Sequence, residues 1–388
     1  MKGPLPRPKL LFLVNVSWFF VSHRLVLAQA ALGAGYEVHV ATRVTHPEDR
    51  DAITKAGLIL HHIEIGRGDS GVVYDLRSLF LIWRLFRELR PDLVHNVAIK
   101  PVIFGGVVAA IAGIRCVVQA LPGLGSGLGE ASGRARLRGF LMLRAIRLAC
   151  RRRGTLVILQ NVEDVKTLVE ARSVSADAVV LIRGSGVDVR AIRHQPEAPG
   201  RVRVVLASRM LREKGIPEFV AAARRLREEG VPADFILAGQ PDPSNPGSLT
   251  EDTLHSYAAS GAVSYLGQVN DVPALFASCH IVCLPTYYRE GVPKVLIEAA
   301  AAGRPVVTTD QPGCRDIVRA GENGLLVAPR DVDAIVAALR TLIASPALRK
   351  AMGAAGRERA LAEFDLSIVK SQTLAVYSRL LAQPCASC

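Results

Sequence analysis

The sequence predicts an α/β protein built from two doubly wound, Rossmann-like parallel sheets. Three observations predict it. Apolar runs of four to eight residues alternate along the chain with longer segments of helical spacing. The short runs lack in–out alternation, as strands buried on both faces do. The whole pattern then begins a second time after a turn-rich, aperiodic stretch at residues 184–200.

In order, residues 10–16, 37–42, 58–63, 93–97, 116–120, 156–159 and 178–182 read as strands of the first sheet. Residues 76–89 and 102–112 between them have helical spacing. Beyond the break, 202–207, 234–238, 263–266, 280–284, 305–308 and 325–327 read as the second sheet. The amphipathic segment 367–381 is expected to return to the first domain. This gives a first domain of residues 1–185 joined by 366–388, and a second of 186–365. Strand–helix alternation implies parallel sheets with helices on both faces. Such sheets bind ligands outside the carboxyl ends of their strands, here between the two sheets.

Bulk properties agree with this division. A chain of 388 residues exceeds the roughly 250–300 at which single cores stop growing. Residues 1–187 hold 25 Lys and Arg against 14 Asp and Glu, a net of +11, whereas residues 188–388 hold 23 against 21, a net of +2. The first half therefore faces something anionic: nucleic acid, an acidic bilayer or a diphosphate. No run reaches the roughly 18 apolar residues of a membrane-spanning helix. Lys2, Arg7 and Lys9 before an apolar run, with Ala28, Gln29 and Ala30 after it, mimic a signal peptide. Asn15 and Ser17 interrupt that run and His23 and Arg24 close it early, so a buried strand and its helix explain more residues. Seven cysteines in this length make no disulfide scaffold, and Cys116, Cys279 and Cys283 lie in strand-like runs as small buried hydrophobes. Cys385 and Cys388 form a lone pair, a weak metal or redox signal. A reducing cytoplasm fits best.

The most informative stretch is 289–298, REGVPKVLIE. Gly291 and Pro293 suit a tight loop and a helix's first turn, and residues 295–303 give a helix with a glycine stop. Glu290 on the loop and Glu298 in the helix could hold two hydroxyl-bearing parts of one ligand. They could equally be a solvated loop carboxylate and a local pair, and the residues alone leave both open. A second cluster, 208–215 (SRMLREKG), follows the strand at 202–207 and places Arg209 and Lys214 at its carboxyl end. The glycine-rich segment 123–129 does not satisfy the G-x-G-x-x-G dinucleotide fingerprint. Asn161 and Asp164 suit a cap and first-turn carboxylate for a helix at 165–171.

Residues 134–153 carry eight arginines interleaved with Leu137, Phe140, Leu141, Leu143, Ile146 and Leu148. The three-and-four spacing makes a basic amphipathic helix suited to an anionic bilayer surface. Arg134, Arg136, Arg138, Arg144, Arg147 and Arg151 are its candidate membrane contacts. Nucleic acid is the rival partner, but aromatic interleaving is confined to Phe140, so no nucleic acid is expected. Asp331 and Asp333 resemble a metal-binding Asp-x-Asp pair, yet they open a helix, where capping explains them. No metal is expected.

The Glu290-x7-Glu298 stretch, with GRPVV at 303–307, PGCRDIV at 312–318 and GENGLLV at 321–327, resembles the retaining glycosyltransferases of GT-B fold, family four. It is most similar to the bacterial capsule and O-antigen branch, which extends lipid-linked sugars. The segments 19–24 (FFVSHR), 35–40 (GYEVHV) and 184–188 (GSGVD), with Lys100 and Pro101, carry the likeness over about residues 10–380. The resemblance implies two Rossmann-like domains facing across a cleft. It implies that Glu298 holds the ribose hydroxyls of a nucleotide sugar and Glu290 a hydroxyl of the donor sugar. Gly291, Val292, Pro293 and Lys294 would complete the donor site. Arg209 and Lys214 would hold the diphosphate, where charge develops as the leaving group departs. Weaker cleft candidates are His95, read as strand-terminal, with Lys100, Gly123, Gly125 and Asn161. Pro122 departs from the small polar residue expected before the glycine loop, and the second His of relatives is missing near Val97.

The function so implied is transfer, with retention, of a sugar from a UDP-sugar to a polyprenyl-diphosphate-linked saccharide, with no cofactor. The enzyme would sit peripherally on the inner face of the cell membrane. A sugar-nucleotide epimerase of the same fold is one alternative, although its acid and base groups find no place. A non-catalytic basic binding protein is the other, and the intact set of Arg209, Lys214, Glu290 and Glu298 argues against it.

Overall fold

The structure, a computed structural model, describes residues 7–66, 71–125 and 133–382, without the side chains of residues 134 and 135. The chain forms two compact units, Met1–Ser185 with Val369–Cys388, and Gly186–Ile368.

The first unit opens with β1 (Lys9–Val16), α1 (Ser17–His23), α2 (Leu25–Gly33), β2 (Glu37–Arg43), α3 (Pro47–Lys55) and β3 (Ile59–His62). It continues with α4 (Val72–Leu89), β4 (Leu93–Val97), α5 (Ile99–Ile111), β5 (Cys116–Leu121), α6 (Gly133–Cys150), β6 (Thr155–Leu159), α7 (Val162–Glu170) and β7 (Val179–Leu181). The seven strands are all parallel, in the order β3-β2-β1-β4-β5-β6-β7. Both faces of β1 are buried, which explains its lack of alternation. Leu10, Phe12 and Val14 enter one core, while Leu11 and Leu13 enter another with Ile82 and Phe86 of α4. Each such fully buried side chain contributes roughly 1.5–3 kcal/mol.

The second unit holds β8 (Val202–Ala207), α8 (Ile216–Glu228), β9 (Ala233–Ala238), α9 (Glu251–Ala259), β10 (Ser264–Tyr265), α10 (Val272–Ala277) and β11 (Ile281–Leu284). Then come α11 (Lys294–Ala301), β12 (Val306–Thr309), α12 (Cys314–Ile317), β13 (Gly324–Val327), α13 (Val332–Ala344) and α14 (Pro346–Glu363). Its six parallel strands run β10-β9-β8-β11-β12-β13 around a single continuous core. The last helix, α15 (Leu366–Leu381), supplies Val369, Val376, Tyr377 and Leu380 to the first unit's core.

Several local expectations shift. Helix α4 begins at Val72, a turn before the expected 76, because Tyr74 Oη and Ser78 Oγ each donate to Glu64 at 2.8 Å and tie down the first turn. Helix α6 ends at Cys150, so Arg151, Arg152 and Arg153 lie beyond it. His95 is the middle residue of β4 rather than its end, paired with Phe12 and Val118. Cys385 and Cys388 lie outside the described residues.

The two sheets share a topological consequence. In each, the chain winds outward on one side of its first strand and then crosses to the other side. The order therefore reverses between β1 and β4 in the first unit, and between β8 and β11 in the second. Ligands of open α/β sheets bind outside the carboxyl ends at that reversal.

Candidate active site

In the second unit, the loops leaving β8 and β11 meet at the reversal. The β8 loop carries Arg209 and a short 3-10 turn, Arg212–Lys214, closed by Gly215 at φ +77°. A Cβ at Gly215 would lie 2.2 Å from the carbonyl oxygen of Pro285, so only glycine lets the two loops touch. The Glu213 carbonyl accepts from Tyr287 N at 2.9 Å and Thr286 Oγ1 at 3.1 Å. Across this seam Lys214 Nζ donates to Glu290 Oε1 at 2.5 Å, with Lys214 only 6% exposed. Thr286 Oγ1, itself fully buried, donates to the same Glu290 oxygen at 3.3 Å.

The loop 289–293 is pinned from its far side. Gly313, at φ +80° ahead of α12, sits so close that a Cβ there would fall 1.6 Å from the Gly291 carbonyl oxygen. Buried Thr309, at the end of β12, donates its Oγ1 to the Thr286 carbonyl. Pro293 then starts α11 without a side-chain cap, and its carbonyl accepts from Leu296 N at 3.0 Å. The helix start thus turns amide donors and the positive end of its dipole toward the carboxyl edge of the sheet.

One turn into α11, Glu298 Oε1 lies 3.3 Å from Lys294 Nζ. Burial pushes the Glu298 carboxyl above its usual range, and Lys294 pulls it part of the way back. Arg209 is held differently. Its Nη1 donates to Asp242 Oδ2 at 2.8 Å, and Asp242 is positioned by Ser248, whose Oγ accepts from Asp242 N at 2.9 Å. Arg209 and Lys214, Glu290 and Glu298, and a helix start therefore share the carboxyl edge of one sheet. The cations can take a diphosphate, Arg as a fork and Lys as a point charge with three donors. The carboxylates can take hydroxyls, and with about four acceptor positions each, Glu290 has capacity beyond Lys214 and Thr286.

Two family models divide the chain between them. "Glycosyl transferase 4-like" matches residues 9–161 and "Glycosyl transferases group 1" matches residues 188–359. The N,N'-diacetylbacillosaminyl-diphospho-undecaprenol alpha-1,3-N-acetylgalactosaminyltransferase of Campylobacter jejuni is 24% identical over 353 residues, 87% of this chain and 90% of that one. The UDP-Gal:alpha-D-GlcNAc-diphosphoundecaprenol alpha-1,3-galactosyltransferase of Escherichia coli is 24% identical over 285 residues, 69% of this chain and 70% of its own. Among solved structures, Anabaena Alr3699/HepE in complex with UDP superposes with a TM-score of 0.75 at 18% identity, covering 96% of this chain and all of that one. The chain belongs to the GT-B glycosyltransferases of family four. Sucrose-phosphate synthase from Thermosynechococcus elongatus shares the fold as well, with a TM-score of 0.79 at 22% identity, over 97% of this chain and 100% of its own. Membership decides for a transferase over an epimerase or a non-catalytic binding protein.

In this glycosyltransferase the other predicted residues take varied places. His95 is a core residue. Its Nδ1 is 2.6 Å from Tyr377 Oη, and burial, with the Arg24 charge behind it, holds its pKa well below the usual value. Lys100, in the first turn of α5, donates to Asp75 Oδ1 at 2.7 Å. Asn161 caps α7, its Oδ1 accepting from Asp164 N at 2.7 Å. Gly123 and Gly125 lie on the loop after β5, and the remainder of that glycine-rich segment falls outside the described residues. Asp331 caps α13 through Ala334 N at 2.9 Å, and Asp333 pairs with Arg225.

The side chain of Arg134 is outside the described set. Arg136, Arg138 and Arg144 are exposed on α6. Arg147 and Arg151 instead line a basic concavity of about 690 Å³ with Arg172 and Arg379, beside the start of β6.

Sequence reading missed Thr286, Asp242 and Gly313 as parts of this site. Thr286 stands four residues before Glu290, and Gly313 lies in a quoted motif, so a signal existed for both. Asp242 follows a different strand and left none.

Proposed function

We propose that the enzyme moves a hexosyl or N-acetylhexosaminyl group from a UDP-sugar to a polyprenyl-diphosphate-linked saccharide, with retention at the anomeric carbon, in surface polysaccharide or glycan assembly. The observation that carries the proposal is the meeting of Lys214 with Glu290 at the sheet reversal, on the edge shared with Arg209 and Glu298. The C. jejuni and E. coli relatives, both named for undecaprenyl-diphosphate acceptors, support the acceptor class. The second of these is also named for a UDP-sugar, and the Anabaena neighbour was solved with UDP, which supports the base.

In this reading Glu298 accepts both ribose hydroxyls and Glu290 accepts a donor-sugar hydroxyl. Arg209 and Lys214 neutralise the diphosphate as the glycosidic bond breaks. The acceptor hydroxyl approaches on the face the diphosphate leaves, and the departing phosphate oxygen takes its proton. No protein nucleophile and no cofactor enter the step. Lys214 is doubly suited, because its ammonium can hold Glu290 in place and still point a hydrogen at phosphate. Acceptors of this class lie in a membrane. Among the described residues no helix is long and apolar enough to cross one. Peripheral contact with the anionic inner face, through the arginines of α6, completes the reading.

The test is a thermal-shift titration with UDP, GDP and ADP, followed by transfer assays. A nucleotide at 100 times its dissociation constant stabilises by about 2.7 kcal/mol. UDP should shift the wild type and fail to shift Glu298→Ala. Lys214→Ala should lose about 10²–10³ in kcat, the cost of removing one charge-stabilising donor. NMR of the product should show the donor's own anomeric configuration. Full transfer by Lys214→Ala, or an inverted product, would sink the mechanism.

A further inference from the structure

Helix α4 carries an apolar row on its outward side. Val72 is 76% exposed, Leu76 60%, Phe80 57% and Trp83 38%, at positions i, i+4, i+8 and i+11, and Val73 beside them is 82% exposed. The adjoining side of the helix is fixed by fully buried Ser78, Ile82 and Phe86, which sets how far the row can rotate inward. Soluble surfaces seldom leave a continuous row of this size bare. Helices α4 and α6 both pack against α5 on one face of the first unit's sheet. On α6 the outward side bears Leu137, Phe140 and Leu141, each more than half exposed. Because these helices run antiparallel to the strands they join, their early turns, where both apolar groups concentrate, lie at the strands' carboxyl edge.

Charge identifies what covers this surface. Arg77, Arg84 and Arg87 flank the row on α4, and Arg136, Arg138 and Arg144 flank it on α6, all exposed. From the start of α4 at residue 72 to residue 162 the sequence holds fourteen basic residues and four acidic ones. A second copy docking about a two-fold axis would set this charge against itself. An anionic bilayer complements it. The Arg87 guanidinium lies 6.0 Å over the Trp83 ring, and that of Arg144 5.1 Å over Phe140. Each pair sets an aromatic ring beside a cation, and the Trp83 indole is of the amphipathic kind that anchors proteins at the headgroup level.

We propose that α4 is the element that enters the lipid, with Val72, Leu76, Phe80 and Trp83 at the acyl boundary of an anionic bilayer and the α6 arginines on its headgroups. Helix α6 alone would hold the surface electrostatically, whereas α4 supplies burial that salt does not screen. The inference deepens the proposed membrane-bound acceptor and rests on that reading. Seating both helix starts in the interface brings the carboxyl edge of the first unit's sheet to the lipid surface.

The test uses the full chain and two variants, with phosphatidylcholine vesicles containing or lacking one-third phosphatidylglycerol. Leu76→Glu/Phe80→Glu should weaken partitioning onto the anionic vesicles by about tenfold or more. Its thermal shift with UDP should stay that of the wild type, which shows that the fold and donor site are intact. The chain has two tryptophans, so a Trp18→Phe variant isolates Trp83. Its emission should move to the blue on anionic vesicles and be quenched by brominated acyl chains. Unchanged partitioning of the double variant, or no quenching by brominated chains, overturns the proposal. So does a dimer in sedimentation that the double variant dissolves, since the row then belongs to a second copy. Vesicle binding with no transfer to a lipid-linked acceptor would count against the acceptor reading and leave the docking surface standing. Transfer to a detergent-dispersed acceptor with no vesicle binding would do the reverse.

Discussion

Glu298 is asked to do two things that oppose each other. It must be ionised to accept two ribose hydroxyls, yet its burial favours the neutral form and raises its pKa, with Lys294 only partly compensating. The signs separate the consequences. A carboxyl whose folded-state pKa is raised binds its proton more tightly folded than unfolded. Its contribution to stability is therefore greatest below the usual glutamate range and is lost as pH rises through the raised value. Nucleotide binding runs the other way and weakens as pH falls through the same window. Between about pH 7 and about pH 5, UDP affinity of the wild type should fall more steeply than that of Glu298→Gln. At neutral pH the variant should bind about tenfold or more weakly, the value of hydrogen bonds to a charged acceptor. Dissociation constants measured by calorimetry across that range check both statements, and parallel slopes would remove Glu298 from the ribose.

At the scale of elements, the active loop at 289–293 keeps its shape because another loop leans on it. Gly313→Ala tests that dependence. The positive φ alone costs an alanine about 1–2 kcal/mol. The new Cβ would meet the Gly291 carbonyl, a backbone atom with no flexible side chain to yield. The 289–293 loop must move, and Glu290 with it. We expect a lowered melting temperature together with a donor KM raised several-fold, whereas a change in stability with unaltered KM would show that the loop holds itself.

Motif strings made Lys214, Glu290 and Glu298 legible, because their spacing within strand–loop–helix units is short and local. Thr286 and Asp242 were not, since each acts through a contact that exists only once separate strands lie side by side. The same limit explains His95. Its strand was placed correctly, but the partner that makes it a core residue, Tyr377, lies 282 residues away in α15. Helix α4 was read a turn short because Val72 and Val73 look like no part of a soluble amphipathic helix, and they are in fact exposed.

The two units differ in how the chain completes them, and this has a consequence at the scale of the whole molecule. Residues 186–368 are continuous in sequence, enclose their own hydrophobic core and carry Arg209, Lys214, Glu290 and Glu298 together. The first unit is discontinuous. Its core includes Val369, Val376, Tyr377 and Leu380 of α15, and Tyr377 gives His95 Nδ1 its partner, while His95 Nε2 has none among the described residues. Removing α15 would uncover the part of that sheet face it packs on and strip His95 Nδ1 of its partner. Expressed separately, residues 186–368 should melt cooperatively and bind the same nucleotide as the full chain within a few-fold, as a unit with its own core can. Residues 1–185 should show a cooperative melt only when residues 369–388 are linked back to them. Calorimetry of the three fragments decides it. If the 186–368 fragment folds but ignores the nucleotide, the donor site needs residues from elsewhere in the chain, and the four side chains gathered at β8 and β11 are insufficient by themselves.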